Sequence, residues 1–163
     1  MKRGLVLGLL VLLGLGVSPA TAAPPRWSWP TPAPHALSRP FLAPATPYGP
    51  GHRGIDITSP GTESSGAVIR APADGVVHFA GVVVDRPVLS IRHPGGLLSS
   101  YEPVATTLVE GDPVSRGEVI GTLEDGHCSE VLCLHFGVRL DGEYVNPLLL
   151  LGGLPRSVLL PTR

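Results

Sequence analysis

The sequence predicts an all-β fold, an antiparallel β-sandwich or partly open, barrel-like core of short strands. Short segments rich in Val, Ile, Leu and Tyr alternate with turn signals such as Ala73-Asp74-Gly75 and Pro94-Gly95-Gly96. No long segment has the 3.6-residue apolar period of an amphipathic helix. Many short strands at such regular spacing are typical of sandwiches and barrels.

The predicted core occupies residues 51–151. Its strands are predicted at residues 68–70, 75–84, 88–92, 97–101, 118–123 and 134–140. Turns are expected at Asp85-Arg86-Pro87 and, as a hairpin, at Asp141-Gly142. Residues 146–151 are predicted to form one helical turn, because Asn146 can cap a helix and Pro147 suits its first position.

A proline-rich segment precedes the core. Nine prolines lie between residues 24 and 50, a density that excludes a helix or a central strand and favours an extended arm over residues 23–50. We expect its four aromatic residues to attach the arm to the core, with a groove wall as the alternative; they are Trp27, Trp29, Phe41 and Tyr48. Residues 152–163 are predicted to form a C-terminal tail.

Residues 1–22 have the pattern of a secretory signal peptide. Lys2 and Arg3 precede an apolar run, and Ala20-Thr21-Ala22 then offers a small-residue cleavage site. The run is shorter than the ~20 residues that a membrane-spanning helix needs. We therefore predict cleavage after Ala22 and an exported chain with no membrane span, with an uncleaved anchor helix as the alternative.

Charge and lysine content exclude two classes of function. The formal net charge is −1, which argues against a nucleic-acid binder that relies on a basic patch. Lys2 is the only lysine in the chain. The core therefore cannot form a lysine Schiff base or carry a biotinyl or lipoyl group.

The two cysteines, Cys128 and Cys133, are expected to form a disulfide, because cysteine pairs in exported chains are usually oxidised. The alternative is a pair of metal ligands, but their spacing fits no common zinc motif. Such a bond closes a short loop and stabilises the fold by about 2 kcal/mol or less. Its predicted use is to fix the segment that enters His135.

Three residues form a candidate zinc site. His52 and Asp56 can converge on one metal if the chain turns at Gly54, and His135 lies on a predicted strand between two apolar residues that point the other way. Two histidines and a carboxylate are a common catalytic zinc set that leaves the fourth position open. From the residues alone, an isolated histidine and a structural aspartate remain the alternative.

The site residues belong to a longer set of motifs. These are Gly51-His52-Arg53-Gly54-Ile55-Asp56, Ala71-Pro72-Ala73-Asp74-Gly75-Val76-Val77, Gly111-Asp112 with Gly117-Glu118-Val119-Ile120-Gly121, Leu134-His135-Phe136, and Asn146-Pro147. Over residues 29–151 they resemble the lysostaphin-like (LytM-type) zinc endopeptidases, which cut peptidoglycan peptides. The resemblance implies that His52, Asp56 and His135 bind zinc.

The chain departs from that family at two positions. The family has a catalytic histidine, not a zinc ligand, two residues before its last zinc ligand, and this chain has Cys133 there. A second such histidine lies in a Tyr-Ala-His-Leu stretch, where this chain has Pro103. The resemblance therefore implies a zinc site from which both helper histidines are missing.

Two residues are candidates to replace those histidines. His127 lies beside Cys128, on a loop that can fold back over the metal; the alternative is an exposed loop histidine. Glu102 is adjacent to Pro103 and can act as acid or base, as glutamate does in other zinc peptidases; the alternative is a solvated carboxylate. His78 and His93 are expected at the surface.

We predict an exported zinc metalloendopeptidase that acts on peptidoglycan peptides and is associated with the cell wall. The alternative is a catalytically degenerate, zinc-retaining module that binds peptidoglycan or regulates a partner hydrolase. The glycine-rich hairpin at residues 111–121 also resembles biotinyl and lipoyl carrier domains, but the missing lysine excludes that role.

Overall fold

The computed structural model describes residues 27–46, 48–58, 66–128 and 132–152. The predicted signal peptide and all of the predicted tail except Gly152 lie outside these residues. The predicted all-β class is confirmed, since antiparallel strands dominate these residues, which contain one short α-helix and form no closed barrel. No helix within the described ranges has both the length and the apolar character needed to cross a bilayer.

The described residues form two antiparallel sheets. The strands are β1 (Ala36–Arg39), β2 (Gly54–Thr58), β3 (Val68–Arg70), β4 (Gly75–Val83), β5 (Arg86–Arg92), β6 (Leu97–Glu102), β7 (Val104–Ala105), β8 (Pro113–Val114), β9 (Val119–Leu123), β10 (Leu134–Leu140) and β11 (Glu143–Val145). The larger sheet has the order β1-β2-β10-β6-β5-β4-β8, with β11 also paired to β10, and the smaller has the order β3-β9-β7. The helix α1 (Leu148–Leu151) follows the last described strand.

Alternation along β2 and β10 separates the core from the site. Ile55 and Ile57 in β2, and Leu134 and Phe136 in β10, are fully buried. They belong to one apolar cluster with residues of the smaller sheet, so the core lies between the two sheets. Because successive side chains of a strand point to opposite faces, the residues between them project from the other face of the larger sheet.

The proline-rich segment lies along the edge of the larger sheet. Its strand β1 pairs with β2 at the sheet edge, where proline neighbours cost no ladder hydrogen bond. Trp27 is buried in the core, while Trp29 and Phe41 pack against it. Tyr48 is 99% exposed and makes no such attachment, so the expected anchoring holds for three of the four aromatics.

The β4–β5 hairpin turns one residue earlier than predicted. Val83 pairs with Arg86, so the turn consists of Val84 and Asp85, and Arg86 begins β5. Val84 has a φ of 60°, as two-residue hairpin loops require for their twist. The predicted turn, Asp85-Arg86-Pro87, included Pro87, but this proline lies inside β5, opposite Val82.

His93 is buried, and its predicted surface position is wrong. Its side chain lies under Trp27, with ring centroids 4.5 Å apart, and only 4% of the residue is exposed. Nδ1 donates to the carbonyl of Asp74 at 2.8 Å, so Nε2 accepts from the Ser99 hydroxyl at 2.7 Å. Ser99 in turn accepts from Tyr101 at 2.7 Å. Every polar atom of this buried chain is therefore satisfied without a charge.

Burial of His93 predicts acid sensitivity of the fold. Burial lowers the pKa of His93 below its ordinary value, against a smaller opposing effect of the Asp74 carbonyl. Below about pH 6.5 the unfolded chain therefore binds a proton that the folded chain does not, and stability falls as the pH falls.

We expect the free energy of unfolding to drop less between about pH 7.5 and pH 5.5 in His93→Gln than in the unmodified chain, because the glutamine cannot titrate. Urea titrations at both pH values measure this difference. His78→Gln, a substitution of a partly exposed histidine on β4, is the matched control. Parallel pH dependences in all three chains would contradict the prediction.

Candidate metal centre

Strand register brings three polar side chains side by side on the face of the larger sheet that is turned away from the core. In β10, His135 lies opposite Asp56 of β2 on one side and opposite Glu102 of β6 on the other. Residues directly opposite each other in antiparallel strands project from the same face. Asp56 and His135 therefore meet because two apolar strands pair in this register, although 79 positions separate them.

His52 reaches the same point from the turn that precedes β2. It forms an isolated bridge with Leu42, which places its side chain beside that of Asp56. Gly54 leaves the room for this arrangement. A Cβ atom at Gly54 would lie 2.6 Å from the Nε2 atom of His135 and 2.5 Å from the carbonyl oxygen of Phe136, so only glycine lets the imidazole of His135 lie against this strand.

The donor atoms of His52, Asp56 and His135 converge. Asp56 Oδ1 lies 3.0 Å from His52 Nε2 and 2.7 Å from His135 Nδ1, and the two ring nitrogens are 3.1 Å apart. These separations are close to the edge of about 3.3 Å of a tetrahedron with metal–nitrogen bonds of about 2.0–2.1 Å. The triangle of atoms is therefore the right size to form one face of a four-coordinate site.

Hydrogen bonding outside this triangle leaves His52 able to bind a metal. Its Nδ1 lies 2.8 Å from the carbonyl oxygen of Pro40, which can only accept, so Nδ1 carries the hydrogen and Nε2 presents a lone pair. That lone pair points at Asp56 Oδ1, which is also an acceptor. A cation between the two atoms satisfies both, so the residues fit a metal ion, and the Pro40 carbonyl is the outer partner that metal-ligating histidines usually have.

Asp56 is held in its charged form. Burial by itself raises the pKa of Asp56. The hydrogen bonds with His127 and His135 and the nearby charge of these rings together lower the pKa by more than burial raises it. The net result is a pKa well below the ordinary value for an aspartate. A carboxylate is thus present at neutral pH among three imidazoles, with no lysine or arginine needed to hold it.

His127 is the fourth side chain at this point. The structure contains the disulfide between Cys128 and Cys133, and this bond ties the loop that carries His127 to the start of β10. The Nε2 atom of His127 lies 3.1 Å from Asp56 Oδ1. Among the described residues, four side chains each offer one ligand atom here, and these atoms all lie within 4.8 Å of one another. They belong to His52, Asp56, His127 and His135. His127 therefore lies against the converging donor atoms instead of projecting into solvent.

An arginine distinguishes His127 from the other two histidines. Nη1 of Arg86 lies 3.2 Å from His127 Nδ1. A guanidinium has no acceptor, so Nδ1 accepts, and neutral His127 carries its hydrogen on Nε2, which donates to Asp56. In this arrangement His127 offers a hydrogen-bond donor to the centre, whereas His52 offers a lone pair.

The remaining sequence candidates lie around the centre. Glu102 is partly exposed, with Oε1 3.8 Å from His127 Nδ1, which is too far for a hydrogen bond. Cys133 is buried and bonded to Cys128, so it cannot perform the proton transfer of a histidine at that position. Sequence reasoning missed Arg86, because nothing local signals a contact across 41 positions.

Comparison with known families identifies the family of this chain. The profile of Peptidase family M23 matches residues 50–147, which include all four residues of the centre. The chain belongs to peptidase family M23. The lysostaphin-like resemblance drawn from the sequence motifs is therefore confirmed, and members of this family are typically metal-dependent.

Relatives of this M23 chain carry different names. An uncharacterized protein of Mycobacterium tuberculosis is 42% identical over 147 residues, which are 86% of this chain and 57% of that protein. The DD-carboxypeptidase/endopeptidase Mpg of Neisseria meningitidis is 36% identical over 113 residues, 68% of this chain and 23% of Mpg. The murein hydrolase activator NlpD of Salmonella typhimurium is 36% identical over 135 residues, 80% of this chain and 33% of NlpD.

The M23 chain spans little more than half the length of the curated relatives that it matches, and less in the case of Mpg and NlpD. Among solved structures, Csd3 of Helicobacter pylori superposes with a TM-score of 0.61 at 27% identity, over 84% of this chain and 37% of Csd3. These similarities agree with the assignment of the chain to peptidase family M23.

Proposed function

We propose that the protein is an exported zinc-dependent endopeptidase that hydrolyses peptide bonds of peptidoglycan. The convergence of His52, Asp56 and His135 with His127 as a fourth, proton-bearing group supports this proposal most strongly. Such a set can both hold a metal and supply a hydrogen-bond donor beside it. The name of the relative Mpg, a DD-carboxypeptidase/endopeptidase, agrees with the proposal.

In this proposal His52, Asp56 and His135 hold the zinc ion. Zinc, when bound, supplies Lewis acidity toward the scissile carbonyl and lowers the pKa of a coordinated water. Asp56 contributes the negative charge that balances part of the ion's charge. The Pro40 carbonyl accepts the Nδ1 hydrogen of His52 and so keeps that hydrogen away from the ion. The core side chains behind β2 and β10 keep these ligands in register.

We assign the two helper roles to His127 and Glu102. The Nε2 hydrogen of His127 faces the centre and can donate to the oxygen that becomes negative as the peptide bond is attacked. Glu102 lies beside His135 in the register and carries a partly exposed carboxylate. It can accept the proton of the attacking water and pass it to the leaving amine.

Export and cell-wall association belong to the same proposal. The N-terminal signal pattern and the Cys128–Cys133 disulfide agree with an oxidising location outside the cytoplasm. The names of Mpg and NlpD place both relatives in peptidoglycan metabolism, which suggests that the substrate is a peptidoglycan peptide.

A second candidate function is a zinc-retaining module that binds peptidoglycan or regulates a partner hydrolase. The observation in its favour is the side chain of Cys133, which is locked in a disulfide where related endopeptidases have a catalytic histidine. Pro103 lies where those endopeptidases have their second catalytic histidine. NlpD, named a murein hydrolase activator, is an example of that kind of function among the relatives.

Incubation with purified peptidoglycan separates the two candidates. We expect the zinc-loaded chain to release new amino termini, to lose this activity on chelation and to regain it when zinc is added back. Detection of the new amines by derivatisation and mass spectrometry measures the result. Cosedimentation with peptidoglycan without amine release, together with stimulation of an added hydrolase, would favour the regulatory module.

A further inference from the structure

Arg86 lies at the rim of the metal centre, and none of the roles proposed for hydrolysis gives it a contact with the substrate. We propose that its guanidinium binds a carboxylate of the peptide ligand, so that the site selects peptides with a free carboxylate close to the bond that faces the metal. This inference rests on the proposed function, because it assumes a peptide bound at the metal centre.

The position of Arg86 suits such a contact. Arg86 begins β5, directly after the hairpin turn, and its side chain is 30% exposed. One imidazole ring, that of His127, separates the guanidinium from Asp56. One or two residues of extended peptide, at ~3.3–3.6 Å each, span the separation between Asp56 and the guanidinium. A carboxylate one or two residues beyond the bond at the metal therefore reaches Arg86.

The hydrogen-bond donors of Arg86 are only partly used. Nη1 donates to His127 and Nε donates to Asp85 Oδ1 at 3.1 Å. Within the described part of the chain, Nη2 has no partner. The planar fork of a guanidinium matches the two oxygens of a carboxylate, and the edge formed by Nε and Nη2 is the edge that remains for a ligand.

Asp85 occupies this edge as an exchangeable carboxylate. It is the adjacent residue in the chain, its side chain is 67% exposed, and it reaches the guanidinium with one oxygen only. Exposed ion pairs of this kind contribute little to stability, so a ligand carboxylate that engages Nε and Nη2 together can displace it. The contact with Asp85 indicates that a carboxylate oxygen fits against the guanidinium at this edge.

The test uses three versions of one peptidoglycan pentapeptide: the free acid, the C-terminal amide, and a form amidated only at its isoglutamate carboxyl. Binding to the metal-loaded chain is measured by calorimetry at low temperature. Arg86→Gln removes the guanidinium, and Arg92→Gln is the matched control, because Arg92 also donates to a histidine Nδ1, at 2.9 Å, on the same hairpin but away from the centre.

We expect the unmodified chain and Arg92→Gln to bind the free acid roughly 10- to 100-fold more tightly than one of the two amidated forms. We expect Arg86→Gln to bind the free acid and that amidated form with equal affinity. The amidated form that loses affinity identifies the carboxylate. Equal weakening of all three peptides by Arg86→Gln would mean that Arg86 only positions His127, and this would overturn the inference. Equal binding of all three peptides by the unmodified chain overturns the inference alone, whereas no binding of any peptide overturns the proposed function with it.

Discussion

Asp56→Asn and His135→Ala are expected to yield chains that purify without stoichiometric metal and release no amino termini from peptidoglycan. Each substitution removes one donor from a triangle with edges of 2.7–3.1 Å. Loss of an outer partner alone typically costs 10- to 100-fold in metal affinity, so the loss of a direct ligand costs more. Metal content by elemental analysis is the primary measurement, because it does not depend on turnover.

A second measurement separates loss of metal from loss of fold. A metal that binds only the folded chain stabilises it by about 4 kcal/mol when its concentration is 1,000 times the dissociation constant. The unmodified chain should therefore melt at a higher temperature when zinc is added, and neither variant should respond. His78→Ala serves as the control, since this histidine contacts Arg92 on the β4–β5 hairpin and not the centre. A zinc response in Asp56→Asn would contradict the ligand assignment.

The sequence predicts the parts of this centre that depend on strand alternation. Apolar residues flank His135 at positions 134 and 136, so this pattern predicts its side chain on the face away from the core. Ile55 and Ile57 flank Asp56 in the same way in β2, a strand beyond those predicted from the sequence. The pairing of the two strands then follows from the need to bury those apolar residues together. The assignment of His52, Asp56 and His135 to one site came from the resemblance to lysostaphin-like endopeptidases, since the residues alone left an isolated histidine and a structural aspartate as the alternative.

The parts that could not be predicted depend on contacts between loops and distant strands. The position of His127 follows from the disulfide and the register of β10, and its contact with Arg86 requires the β4–β5 hairpin to turn at Val84 and Asp85. His93 precedes Pro94 at a strand end, where a surface residue is the usual outcome. His93 is covered by Trp27, which lies 66 positions earlier in the chain, and no local pattern predicts such a contact.

His127→Ala is expected to lower the rate of peptide hydrolysis by about 10²–10³, the usual cost of losing one donor to a developing oxyanion. The metal content should not change, because Arg86 holds Nδ1 of His127 as an acceptor and leaves the hydrogen on Nε2. Initial rates of amine release at saturating zinc, with metal content determined on the same samples, test both parts of this prediction.

His127→Gln distinguishes the possible roles of this side chain. A glutamine amide can donate a hydrogen bond but cannot take up a proton at neutral pH, so a donor role predicts substantial recovery of activity relative to His127→Ala. A role as general base predicts that the two variants are equally slow. Loss of metal from His127→Ala would instead identify a fourth protein ligand and a closed, four-coordinate site of the structural type. In that case the metal centre would stabilise a binding or regulatory module, and the endopeptidase proposal would be wrong.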